Sequence, residues 1–158
     1  MSASPSHTEV KVVAHKKDGS LVKGFTLDVP EFYRQSLDKQ ASVAPPEILE
    51  LRTPDNGACV KVVLKDLKAL FFVKSFEGST HYNKIKFFKA HPLQDGIWVL
   101  LRFADNESTE GVIFNSIQFL VNRGFFLKPP DPHSNNEIVY IMKESLNDFR
   151  ILRVRNTF

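Results

Sequence analysis

Six cations are placed where they could hold phosphate: Lys61, Lys65, Lys84, Lys86, Arg150 and Arg153. Between Lys61 and His91 seven lysines face only Asp66 and Glu77, and Arg150, Arg153 and Arg155 crowd the C-terminus. Around Asp105, Glu107 and Glu110 the sign reverses. Uneven charge of this kind can draw a nucleic acid or a nucleotide. The same lysines also alternate with Val and Leu, as the wetted face of an antiparallel strand does. Both readings are open at this level.

Catalytic chemistry finds less support. His7, His15, His81, His91 and His133 include no pair spaced four apart, and Cys59 is the single cysteine. Intrachain disulfides and Cys-based metal sites are therefore excluded, and a zinc site lacks ligands. Cys59 follows a turn and opens a strand, a usual place for a small buried hydrophobe. Asp105, Glu107 and Asp131 are turn residues before they are acids or bases. With seven glycines the chain has no phosphate-cradling loop of the Walker kind. The expectation is no enzyme, no metal and no cofactor.

The elements that position these residues are strands, and they come in two similar sets. Asp18-Gly19 with Gly24 recurs as Asp105-Asn106 with Gly111, at the same internal spacing. Asp-Gly tolerates the positive φ of a tight hairpin, and a glycine inside the following strand permits a bend. Strands are expected at 9–14, 21–27, 48–52, 60–64 and 69–73, then at 97–103, 111–116, 125–128, 138–142 and 149–154. Short turns at Lys65-Asp66 and Lys143-Glu144-Ser145 precede the last strand of each set. One helical turn is allowed within 32–44 before Pro45-Pro46 ends it. Repetition of this kind implies an internal duplication. The expected fold is all-β: tandem SH3-like or Sm-like small barrels packed together, with short helical turns. The expected organisation is a flexible tail at 1–8, a first barrel at 9–75, a packed connector at 76–96 and a second barrel at 97–156. Phe87 and Phe88 lie in that connector among lysines, and are candidates for docking a partner.

Three resemblances attach to these residues. Asp18-Gly19 with Gly24, the run Leu67-Lys68-Ala69-Leu70-Phe71-Phe72-Val73-Lys74 and Ser134-Asn135-Asn136 resemble an uncharacterised family of small bacterial cytoplasmic proteins. The same Asp18, Gly19 and Gly24 are similar to the first motif of Sm-like proteins. Their second motif has Gly or His where this chain has Asp66 and Glu144, and a carboxylate there repels phosphate. Asn106-Glu107-Ser108-Thr109-Glu110-Gly111 resembles the Asn-x-Ser-x-x-Gly signature of PilZ-domain cyclic di-GMP receptors. That resemblance implies an upstream Arg-x-x-x-Arg segment, yet no arginine lies between Arg52 and Arg102. Lys84, Lys86 and Lys89 supply charge there without the planar fork.

At 158 residues, with 42% apolar and 11% aromatic content and a net charge of +3, the chain suits a packed globule. No apolar run approaches the ~20 residues that cross a bilayer, so no membrane insertion is expected. The start lacks a secretory pattern, which makes the cytoplasm the default. The functional expectation is a bacterial adaptor that docks a protein partner. Its alternative is a receptor for RNA or a cyclic dinucleotide on a basic face. The oligomeric state is open.

Overall fold

The computed structural model describes residues 9–26, 45–76, 95–114, 117–130 and 135–155. The tail at 1–8, the helical turn within 32–44 and most of the connector, with Lys84, Lys86, Phe87 and Phe88, lie outside those residues. In chain order the elements begin with β1 (Val10–Lys16), β2 (Leu21–Thr26), β3 (Ile48–Arg52) and β4 (Cys59–Val63). A 3-10 turn (Leu64–Asp66) then leads into β5 (Leu67–Val73). The second half runs β6 (Gly96–Phe103), β7 (Ser108–Ile113), α1 (Ile117–Val121), β8 (Gly124–Leu127) and β9 (Asn136–Met142). A second 3-10 turn (Lys143–Ser145) leads into β10 (Leu146–Arg155). The described chain is all-β apart from these short helical pieces.

Two separate closed barrels are not what the strands form. One seven-stranded sheet runs β4-β3-β2-β1-β5-β9-β8, and a three-stranded sheet runs β10-β6-β7. The cause is the antiparallel pairing of β5 with β9, which carries the sheet from the first half into the second. β8 and β9 thereby join the first half's sheet, and among the described residues an isolated bridge, Val112↔Lys128, ties β7 to the segment after β8.

Within each half the pairing order nonetheless corresponds. β1 pairs with β2 and β5, and β6 pairs with β7 and β10. β3 pairs with β4 as β8 pairs with β9. The correspondence reaches single residues. The ladder of β1 with β5 skips Lys68, and that of β6 with β10 skips Asn147, each the second residue after its 3-10 turn. Such a bulge kinks a strand and re-aims one side chain.

Both hairpins use the same chemistry. Ser20 N–H donates to Asp18 Oδ1 at 2.8 Å, and Glu107 N–H donates to Asp105 Oδ1 at 3.0 Å. Gly19 and Asn106 take the positive φ between them, +92° and +70°. Asn is the side chain that tolerates this region best. Because these turns are so tight, β7 resumes at Ser108, three residues earlier than expected at Gly111. Gly24 and Gly111 bring neighbouring strands close. A Cβ on Gly24 would sit 2.7 Å from Leu51 Cβ, and one on Gly111 would sit 2.3 Å from Leu127 Cγ.

Two cores share one wall. Leu70 and Phe72 of β5 and Ile138, Tyr140 and Met142 of β9 face the first core, with Val12, Leu51 and Val62. Ala69 and Phe71 of β5 and Val139 and Ile141 of β9 face the second, with Val99, Leu101, Phe125 and Leu127. Alternation along a strand lets each seam strand serve both.

Candidate functional site

The seam between the halves carries the most unusual polar group of the molecule. Lys68 sits in an otherwise apolar strand and is only 8% exposed. The bulge turns its ammonium towards the β6–β7 hairpin, where it donates to Asp105 Oδ2 at 2.6 Å and Glu107 Oε2 at 2.7 Å. The same Nζ lies 4.5 Å from the centre of the Phe103 ring, a cation–π contact. Burial pulls the Lys68 pKa down, but the two carboxylates outweigh it and the net shift is upward. The hydrogen bond from Lys68, and then that from Glu107 N–H, hold the Asp105 carboxyl below its ordinary value. Beside it, Ser145 Oγ lies 2.9 Å from Lys68 O and 2.6 Å from Met142 O. This cluster is a clamp between halves. Within the Asn106–Gly111 segment, Glu107 is engaged by Lys68 and Glu110 accepts from Trp98 Nε1 at 2.8 Å.

A cleft of about 650 Å³ opens at another part of the seam. The first half lines it with Pro45, Pro46, Ile48, Val63 and the first 3-10 turn, and the second half with Val121, Asn122, Arg123, Tyr140 and Met142. Ile48 and Val121 are 49% and 64% exposed, so large apolar side chains of its lining stand in water. Glu47, Lys65, Asp66 and Arg123 supply charge of both signs. Arg123 donates to Glu144, which also accepts from Lys17 of the first hairpin. Those two cations, Lys17 first, keep the Glu144 carboxyl below its usual range. Burial pushes the Tyr140 hydroxyl pKa up, so it stays neutral. The volume falls within the range of small-molecule sites.

The predicted site residues divide. Lys65 lines the cleft. Lys61 is exposed on β4, directly across from Glu50 on β3. Arg150 is ion-paired with Asp148 at 2.8 Å, and Arg153 pairs across from Trp98 on the other sheet. The four are thus split between the edges of two sheets. Asp18, Gly19, Gly24, Asp105 and Gly111 hold the hairpins and close strand contacts, and Asp105 adds the Lys68 pair. Cys59 corrects an expectation: it is exposed, because it begins an edge strand whose outer side has no neighbour among the described residues.

Residue-pattern reasoning passed over Lys68, Val121 and Arg123. Lys68 was legible as a lone charge inside Leu-x-Ala-Leu-Phe-Phe-Val, where alternation predicts an apolar residue. Val121 and Arg123 had no such signal, since α1 is one short helix after β7. Among the described residues no group of His, Cys, Asp and Glu could hold a metal, and no helix is long and apolar enough to cross a membrane.

No curated protein and no solved structure matches the chain. Residues 8–153 match the family of unknown function DUF6982, and the chain belongs to that family.

Proposed function

We propose that this chain is a non-enzymatic cytoplasmic docking module, built from two joined units of SH3-like or Sm-like plan, which seats an apolar side chain of a protein partner in the cleft at their seam. The corresponding pairing orders, bulges and hairpins of the two halves support the joined-unit reading. The observation that carries the docking reading is the pair Ile48 and Val121, one from each half, both exposed and both lining a 650 Å³ cleft. Apolar side chains kept in water along a cleft gain free energy when a partner covers them. Charge of both signs around it suits a peptide better than a polyanion. Glu47 and Asp66 would repel phosphate, and Glu144 already engages Arg123.

A photo-crosslinking residue at position 121 tests this. Ultraviolet capture should yield one partner polypeptide, and a synthetic peptide spanning the crosslinked segment should bind wild type and lose at least tenfold on Val121→Asp. A partner segment that binds both forms equally would refute the cleft. Titration with cyclic di-GMP and single-stranded RNA at two salt concentrations tests the receptor alternative, whose mark is salt-sensitive affinity.

A further inference from the structure

The two halves are joined by a head-to-tail contact, and among the described residues both surfaces of that contact recur at strand edges without a neighbour. Inside the chain, the last strand of the first half (β5) pairs with the fourth strand of the second half (β9). The last strand of the second half is β10, at the edge of its sheet, and the fourth strand of the first half is β4, at the edge of the other. Among the described residues neither has a second neighbour. Where β5 is buried almost throughout, β10 leaves Ile151, Leu152 and Val154 at 56%, 43% and 53% exposure.

We propose that a second copy of this chain is the occupant: β10 of one copy pairs antiparallel with β4 of the next. A heterologous contact of this kind builds a ring if the rotation closes and a filament if it does not. The register follows from the internal contact. There Leu70 faces Tyr140, Phe71 faces Val139 and Phe72 faces Ile138. Aligned on the two 3-10 turns, β5 maps onto β10 and β9 onto β4. Phe149 then faces Lys61, Arg150 faces Val60 and Ile151 faces Cys59 of the next copy.

The clamp transfers as well. Lys68 at the first bulge reaches Asp105 and Glu107 in the second hairpin. Asn147 at the second bulge would reach Asp18 and Ser20 in the first hairpin of the next copy, an amide meeting a carboxylate and a hydroxyl. Lys61, Asp148 and Arg150 replace the seam's Tyr140, Ala69 and Phe71, so the contact between copies is less apolar than the internal one. Unpaired edge strands carrying charge are how soluble proteins restrain edge pairing. The contact is accordingly reversible and concentration-dependent.

Cys59 is the only cysteine of the chain, which makes the test direct. Ile151→Cys, oxidised or treated with a short bismaleimide, should give covalent multimers extending beyond the dimer, or one closed multimer. The same variant carrying Cys59→Ser should lose that crosslink. Native Cys59 should become slower to react with a thiol reagent as concentration rises, with light scattering showing a parallel rise in mass. Asn147→Lys with Ser20→Glu, which rebuilds the internal clamp between copies, should tighten association about two- to fivefold. Wild type that stays monomeric up to its solubility limit would overturn the proposal. So would an oligomer in which Ile151→Cys never crosslinks to Cys59. Either failure leaves the cleft untouched, since both its walls belong to one chain.

Discussion

Lys68→Met removes the clamp while keeping most of the side-chain volume. Two charge-assisted bonds disappear, and such bonds contribute about 1.5–3 kcal/mol each when shielded. Two effects reduce that figure. Asp105 and Glu107 are 53% and 46% exposed, so both recover water when the lysine is gone. Methionine also escapes the burial cost that the ammonium bears. The net loss should be about 1–3 kcal/mol, a fall of about 2–12 °C in Tm for a chain of this size. Urea unfolding of wild type, Lys68→Met, Glu107→Gln and the double variant gives the coupling directly. Glu107→Gln is the better partner, because Asp105 also holds its own turn. The pH dependence has a definite sign. Lys68 has a raised pKa, so its share is complete below 10.5 and disappears as pH climbs through the folded value. Asp105 has a lowered pKa, so its share is complete above 3.8 and disappears as pH falls through the folded value. Both limbs should flatten in Lys68→Met. A variant as stable as wild type, or a coupling energy of zero, would refute the assignment of Lys68 as the link between halves.

Other substitutions probe the backbone devices. Gly24→Ala should cost about 1–3 kcal/mol, as overpacked sites do, because the new Cβ meets Leu51 Cβ and the Arg52 carbonyl rather than a movable side-chain tip. Gly111→Ala should cost less, since Leu127 can rotate; thermal unfolding ranks the two, and the reverse order would contradict the contact geometry. Asn106→Gly should be neutral within about 0.5 kcal/mol while Asn106→Val loses about 1–2 kcal/mol, read from denaturant midpoints. Equal effects would remove the argument from positive φ. Ser145→Ala should cost about 1–2 kcal/mol by removing a buried hydroxyl whose single proton is shared between Met142 O and Lys68 O. No loss on calorimetry would show that these carbonyls are served otherwise.

Local chemistry was legible in the residues wherever it repeats within a few positions. Asp18-Gly19 and Asp105-Asn106 gave their hairpins, and alternation gave all ten strands to within about three residues. β10 was expected to begin at Phe149 and starts at Leu146, because the second 3-10 turn hands over at once to the strand. What residues alone did not give is which edge meets which. A strand carries the same alternation whether its neighbour comes from its own half or the other. Closure into two barrels was therefore the natural expectation, and β5·β9 pairing was not visible. The cleft escaped for the same reason: Pro45, Ile48, Val121 and Arg123 are far apart in sequence and meet only because that seam exists.

The seam and the free edges differ in one respect that decides what the chain does with them. Along β5 and β9 the paired positions include Ala69, Phe71, Val139 and Tyr140, and the one charge on β5, Lys68, is met by Asp105 and Glu107. Along β10 and β4 the corresponding positions are Asp148, Arg150, Val60 and Lys61. Burying those charges completely would cost far more than one apolar strand pair returns. That comparison points to a weak contact rather than an obligate one, because Arg150 is already neutralised by Asp148 and both can stay at the rim. The seam holds the two halves of each chain together at any concentration, while the proposed edge contact would join chains only when they are crowded. A cleft formed wholly within the permanent contact would then be presented once per chain, in an array whose length follows concentration. A partner with several apolar anchors would bind such an array far more tightly than a single copy. Its apparent affinity should rise with protein concentration in wild type. In a chain with Arg150→Glu and Ile151→Glu it should not, while single-anchor peptide binding stays unchanged.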